Sequence, residues 1–438
     1  MSVYEDLRKD GVSVADILLP KKNVDMNKWA VIACDQFSSE RDYWQRVGDY
    51  VGSQPSALNI IFPECYLEDG DKDDRIRKIN AKMHEYLQDE IFDTYKDCFV
   101  LVERKSADGK KRLGLMVCLD LENYSYESGS KTLIRATEGT IVDRIPPRKA
   151  IRKDAPMELP HIMVLINDKK RSIIEALYGR KDKLEKLYDF DLMMNSGSVK
   201  AWLVNKREDL EIVRDGLDDM LKGIDGNNRL LFAMGDGNHS FATAKSTWED
   251  IKASLPEVER ANHPARYCLV ELENIFDEGL LFEPIHRVFF DVDVEVFDDA
   301  LKSVDSGYAK ASAADVDSAL KSVNREDGKV HFAIGKNGKF FVYSLDKAKA
   351  VSAPKAIQVL IDEIVGKRKI GRIDYTHGVE STISVASKGN NFAVLMPNIF
   401  KDDFFDAILR GGVFPRKTFS IGEASEKRFY IEARLIRR

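Results

Sequence analysis

The run Leu230-Leu231-Phe232-Ala233-Met234, leading straight into Gly235-Asp236-Gly237-Asn238-His239-Ser240, constrains the fold more than any other stretch of this chain. Five apolar residues bounded by glycine read as a buried strand, and the residues from Phe241 to Lys245 read as the start of a helix. A buried strand needs sheet neighbours, so a sheet with helices packed on it is expected. Gly235 and Gly237 open backbone angles closed to other residues and let a ligand approach the main chain. The N–H groups of the helix's first turn, at the positive end of its dipole, favour a phosphate or carboxylate. The turn also carries an acid, an amide, an imidazole and a hydroxyl. A purely structural turn stays open, because Gly and Asp turn chains and Asn238 or Ser240 can cap a helix. The Walker pattern is absent, and the glycine spacing does not fit a dinucleotide fingerprint.

At 438 residues the chain is too long for one typical domain. Its 44% hydrophobic and 9% aromatic content is ordinary for a soluble globular protein. The net charge of −6 argues against a general nucleic-acid or anionic-membrane binder. Five scattered cysteines form no C-x-x-C pair, and those in apolar runs, Cys98 and Cys118, read as buried free thiols. A reducing cytoplasm is expected. The polar segment Met1 to Lys9 does not read as a signal peptide, so none is expected, and no apolar run is long enough to span a bilayer as a helix.

Further strands are expected at Trp29–Cys34, His161–Ile166, Ala265–Glu273, Phe392–Met396 and Arg428–Leu435. A hairpin joins Cys98–Glu103 to Arg112–Leu119 through Asp108-Gly109. Helices are expected from Glu40, over Asp74–Asp93, Lys170–Leu177, Glu208–Lys222, Gln358–Gly366 and Asp402–Arg410. The expected division is residues 1–290 as core, 291–353 as a small acidic α+β subdomain with a hairpin at Asn337-Gly338, and 354–438 packing back on the core.

Arg135 to Arg152, broken by Gly139 and Pro146-Pro147, reads as irregular and carries Arg135, Glu138, Asp143, Arg144 and Arg148. Arg forks onto phosphates and carboxylates, so this loop could hold an anionic substrate; a solvated lead-in with internal ion pairs is the alternative. His286, followed by Arg287, reads as a substrate contact or as a buried, hydrogen-bonded histidine. Seven histidines show no metal-ligand spacing. A magnesium ion carried on a ligand's phosphates and touched by Asp236 fits better. Cys34 beside Asp35 is a poor nucleophile, because the acid raises the thiol pKa.

Five segments together resemble the bacterial and archaeal family catalogued as domain of unknown function 1015. They are Ala33-Cys34-Asp35-Gln36-Phe37, Arg135 through Arg148, Gly235–Lys245, Glu283-Pro284-Ile285-His286-Arg287 and Pro415–Ser420. The central turn is also similar to the Asp-Gly-His-His-Arg motif of the ParB/sulfiredoxin-like fold, whose members include free-serine kinases and nucleotide-binding switches. Asp236, Gly237 and His239 match that motif, while Asn238 replaces its first His and Ser240 its Arg. Lys245 or an Arg of the 135–148 loop would have to supply the missing phosphate donor.

The expected fold is α/β to α+β, with a mixed-sheet core of ParB/sulfiredoxin-like type and a smaller α+β region after it. The expected function is phosphoryl transfer, as by an ATP- or ADP-using kinase of a small hydroxylated metabolite such as serine. Gly235, Gly237, Asn238, Ser240 and Lys245 would bind phosphates, with Asp236 on magnesium and His239 on a phosphate oxygen. Arg135, Arg144 and Arg148 would clamp charge, with His286 and Arg287 as further anion contacts, and Glu138 or Asp35 would be the base. The alternative is a non-catalytic nucleotide or metabolite sensor. A ParB-like DNA-binding role fits poorly, since nothing reads as a basic recognition helix. The expected partner is a small molecule, with no membrane.

Overall fold

The computed structural model describes residues 2–127 and 129–437. The chain divides into two compact units, Met1–Leu280 with Glu423–Arg438, and Leu281–Gly422.

Among the described residues of the first unit, eleven strands form one mixed sheet. Nine of them run along it: β1 (Phe92–Lys105), β2 (Lys111–Asp120), β3 (Tyr124–Ser125), β4 (Ile134–Arg135), β5 (Met163–Ile166), β6 (Glu185–Asp191), β7 (Ser198–Val204), β8 (Phe232–Asp236) and β9 (Tyr267–Asn274). Their order is β6-β7-β1-β2-β9-β5-β8-β4-β3, and Val12–Ser13 and Ala15–Pro20 pair beside β2 and β1. The pairs β9/β5, β8/β4 and β4/β3 are parallel and the rest antiparallel. This is the mixed α/β character expected.

Successive strand residues point to opposite faces, and both faces are buried, which is why the central strands read as unbroken apolar runs. Leu113, Leu115 and Val117 of β2 join one core and Met116 and Cys118 the other. Helices α1 (Arg41–Val51) and α2 (Lys72–Gln88) cover one face through Trp44, Val47, Ile79 and Met83. On the opposite face lies α4 (Asn238–Ser254), with Phe241, Ala244 and Trp248 inward; α3 (Ile145–Arg152) precedes it in the chain. The C-terminal residues return to the first face, where the Trp29 indole N–H donates to the Ile431 carbonyl at 2.9 Å.

Several local expectations change, among them these three. The helix expected to Asp93 stops at Gln88, because Phe92 already belongs to β1. Arg428–Leu435 is not one strand: Phe429–Tyr430 pairs with Val31–Ile32, and Arg434–Leu435 with Met157–Glu158. The stretch around Pro146-Pro147 is not irregular. Proline has no N–H to leave unpaired and suits a helix's first turn, so the two start α3.

The second unit holds a six-stranded, wholly antiparallel sheet. Its hairpin Lys329–Lys336/Lys339–Asp346 turns at Asn337-Gly338, both with positive φ (51° and 73°), as a two-residue turn matched to strand twist requires. A lone hairpin buries too little to stand by itself. This one pairs with Phe392–Leu395, which pairs with His286–Phe290. Residues on both sides of the expected boundaries at 290 and 353 therefore share one sheet, and the divisions between units fall after Leu280 and Gly422.

Candidate functional site

The site starts from an irregularity at the end of β8. Met234 faces Val164 and Asp236 faces Met163, so Gly235 is an extra residue, a bulge that re-aims the turn beyond it. Gly237 then takes φ +78°, and a Cβ there would lie 3.1 Å from the Ile162 Cα. Glycine is required at this point on both counts. The first intrahelical bond of α4 runs from the Phe241 N–H to the Gly237 carbonyl at 3.0 Å. The N–H groups of Asn238, His239 and Ser240 precede it, where a helix has no internal acceptors to offer.

The polar side chains of the turn gather the next segment. The Asn238 Oδ1 accepts the Thr137 N–H at 3.2 Å, and the His239 Nε2 accepts the Ile141 N–H at 3.2 Å. That second bond assigns the neutral imidazole's proton to Nδ1. Glu138 is thereby held beside the turn. Helix α3 docks on α4 through Lys149, whose Nζ lies 3.0 Å from the Ser246 hydroxyl and 2.7 Å from Asp250. Arg144 and Arg148 follow it into place.

The result is a cleft of about 670 Å³ within the first unit. Residues Asp236 to Ser240 line it with Glu138, Arg144 and Arg148, and so does Asp35, just beyond the strand Val31–Ile32. Nine expected site residues thus meet in one space. Ser38, Glu64, Leu67, Glu68, Lys72, Asp143 and Pro147 complete the wall. Six lining carboxylates face three lining cations, but Glu64 is ion-paired with Arg148 and Asp236 with Lys427.

Lys427, from the C-terminal segment, is the least foreseeable member. Its Nζ lies 3.1 Å from the Asp236 Oδ2, and the two side chains are 12% and 26% exposed. The Asp236 Oδ1 accepts the Gly237 N–H at 2.8 Å. Burial works to raise the Asp236 pKa, but the charge and hydrogen bond of Lys427 outweigh it, and the carboxyl is held below its ordinary value. His161 is a second unforeseen member: its Nε2 lies 2.8 Å from the Ser240 hydroxyl and 3.9 Å from the Asp35 Oδ2, and its Nδ1 lies 2.8 Å from the Tyr430 hydroxyl. Burial first, then the Asp35 and Glu64 charges, push the Cys34 thiol up, so it is no thiolate nucleophile.

Five expected site residues lie elsewhere. Gly235 is the bulge itself. Arg135 is buried, donating to the Asn228 side chain at 2.7 Å and to the Arg229 and Thr132 carbonyls at 2.6 and 3.1 Å; it braces a loop. Lys245 pairs with Glu249 one turn along α4, at 2.5 Å. His286 and Arg287 belong to a strand of the second unit and are buried. There the His286 Nδ1 accepts the Met396 N–H at 3.0 Å, and Arg287 donates to the Ile285 carbonyl. His286 is the buried, hydrogen-bonded histidine of the two readings. Asp236, expected on magnesium, is instead engaged by Lys427, and among the described residues no group of three His, Cys, Asp or Glu is placed to hold a metal ion. Among them, too, no helix is long and apolar enough to cross a membrane.

The family described as protein of unknown function (DUF1015) matches residues 18–367, and the chain belongs to that family. No curated protein matches the chain in sequence. Among solved structures it is similar to a free serine kinase in complex with AMP, at 11% identity and a TM-score of 0.39 over 73% of this chain and 92% of that one. It is also similar to a conserved hypothetical protein from Pyrococcus furiosus, at 14% identity and a TM-score of 0.37 over 74% and 95%. A third is a C-terminally truncated SbnI from Staphylococcus aureus, at 7% identity and a TM-score of 0.34 over 70% and 82%. Likenesses this distant assign no chemistry to this chain.

Proposed function

We propose that this member of the DUF1015 family is a phosphoryl-transfer enzyme that binds ATP or ADP in the cleft of its first unit and serves a small hydroxylated molecule. One observation carries the reading. Four separate segments bring a helix N-terminus, the cations Arg144, Arg148 and Lys72, and the carboxylates Asp35 and Glu138 into a single cleft. Phosphoryl transfer asks little more of a protein than positioned phosphates, charge neutralisation and a base for the attacking hydroxyl. Arg144 and Lys72 are available for phosphate oxygens, and Arg148 reaches the same space from its pair with Glu64. Of the two carboxylates we take Asp35 as the base, with His161 3.9 Å away and itself bonded to Ser240 and Tyr430. Among the described residues no three His, Cys, Asp or Glu groups converge on a metal ion, so in this reading magnesium arrives on the nucleotide and takes most of its ligands from phosphate and water.

The test is calorimetric titration of the full chain with ATP, ADP and CTP, with and without magnesium, followed by phosphoryl-transfer assays. Arg144→Gln removes an exposed lining charge with little structural cost and is expected to weaken nucleotide binding at least about tenfold, the worth of a charge-assisted bond. Absence of binding by every nucleotide rejects the reading. Binding without transfer to any hydroxylated acceptor makes the protein a sensor instead.

A further inference from the structure

We propose that the acceptor carries an apolar body about the size of a benzene ring, held in a chamber that opens off the cleft. This rests on the phosphoryl-transfer reading for the reaction, but not for the existence of the chamber as a ligand site.

The chamber has a volume of about 160 Å³ and lies in the first unit. Ile60, Phe62, Met83, Ile151, Met157 and Leu269 form much of its wall. An engineered protein cavity of about 150 Å³ with similar walls takes up benzene, so the space suits a ring or a branched five-carbon chain. Its charged wall residues are spent on one another: Glu158 pairs with Arg152 and with Arg434 at 2.6 Å, and Glu64 with Arg148. Apart from Ser240, Thr243, His161 and Tyr430, what remains for a ligand is mostly apolar surface. Glu64, Leu67, Arg148 and Ser240 line both the chamber and the cleft, so the two spaces adjoin at these residues. A ligand spanning the junction places a polar end beside Arg148, Ser240 and His161 and an apolar end inward. Serine has nothing to fill that space, and its binding would leave apolar wall in contact with water.

In the step itself, the acceptor's hydroxyl oxygen forms a bond to the terminal phosphorus of the nucleotide. The bond from that phosphorus to the bridging oxygen breaks, and its electron pair leaves with the shortened nucleotide. The hydroxyl proton passes to the Asp35 carboxylate, 3.9 Å from His161. Atoms and charge balance with no other reactant.

The experiment is ligand-observed NMR on the full chain with benzyl alcohol, 3-methylbutan-1-ol and glycerol, each without nucleotide. The first two are expected to bind and glycerol not. Ala155→Leu, which pushes three carbons into the chamber, and Ile151→Phe at a half-buried wall position are each expected to weaken alcohol binding at least about tenfold. Nucleotide binding should be unchanged in both variants. Equal binding of glycerol and benzyl alcohol, or no effect of either variant, overturns the proposal. So does loss of nucleotide binding in a folded Ala155→Leu protein, which would place the nucleotide base in the chamber. Alcohol binding with no response to any nucleotide sinks the phosphoryl-transfer reading while the chamber stands as an apolar-ligand site.

Discussion

Replacing Asp236 with Asn keeps the side chain's shape and its acceptor for the Gly237 N–H but deletes the charge facing Lys427, 3.1 Å away. An exposed ion pair is worth about 0–1 kcal/mol, whereas stripping one partner from a fully buried pair costs about 3–5. With side chains 12% and 26% exposed, this pair lies between those limits, so the loss should be about 2 kcal/mol. For a unit of roughly 300 residues that lowers the melting midpoint by about 3 °C. The assay is built into the chain, because all four tryptophans (Trp29, Trp44, Trp202 and Trp248) lie in the first unit, and their fluorescence follows its unfolding alone. The pH dependence has a definite sign. The folded Asp236 carboxyl titrates below its ordinary value of 3.8, so the pair's contribution is full above that pH and disappears as pH falls through the folded value. The gap between wild type and Asp236→Asn should therefore be present at neutral pH and close in acid. Lys427→Gln should cost a similar amount, and the double variant little more than either single one. If Asp236→Asn melts with wild type at neutral pH, or if the two substitutions add, the pair does not hold the C-terminal segment to the turn.

Gly237→Ala should destabilise the first unit by about 1–3 kcal/mol from its φ of +78° alone, and further from contact with Ile162, and nucleotide affinity should fall with it. A protein that melts and binds normally would show the turn tolerates a side chain. Arg135→Ala should lower the same midpoint by about 1–3 kcal/mol, through the buried acceptors it abandons, while leaving nucleotide affinity unchanged; a selective loss of affinity would return Arg135 to the site. In the second unit, burial and then the neighbouring Arg287 depress the His286 pKa from 6.5 to about 4. The unfolded chain takes up a proton in that interval and the folded one does not, so stability falls as pH drops from 6.5 towards 4, by up to about 3 kcal/mol. His286→Asn, which keeps an acceptor for the Met396 N–H, should flatten the circular-dichroism melting midpoint over that range, and an unflattened profile would assign the pH dependence to other groups.

Much of the cleft was legible in the sequence because it is built from contiguous pieces. A strand, a glycine turn and a helix start are adjacent in the chain, and their residues carry the pattern directly. The Arg-rich loop stood out in the sequence, but its structure did not: the two prolines read as irregular chain when they are a helix's opening turn. Nor could spacing separate the roles within that loop. Arg135 and Arg148 belong to one basic cluster, yet Arg135 braces buried carbonyls and Arg148 lines the cleft. His286 was open in the sequence to two readings, a substrate contact or a buried, hydrogen-bonded histidine, and its burial in a strand of the second unit fits the latter.

The sequence by itself determined the local grammar of the turn: that the run before Gly235 is a buried strand, that glycines open the turn, and that an acid, an imidazole and a hydroxyl sit at a helix start. Only the tertiary structure decided who faces whom. Lys427 meets Asp236, and Tyr430 meets the His161 that bonds Ser240, because the C-terminal residues return to the sheet face of the first unit. The apolar chamber likewise exists only where residues near 60, 83, 151 and 269 converge. Backbone preference acts between neighbours in the chain, whereas charge pairing and cavity shape depend on distances in space, and those distances are set only once the sheet has brought remote segments together.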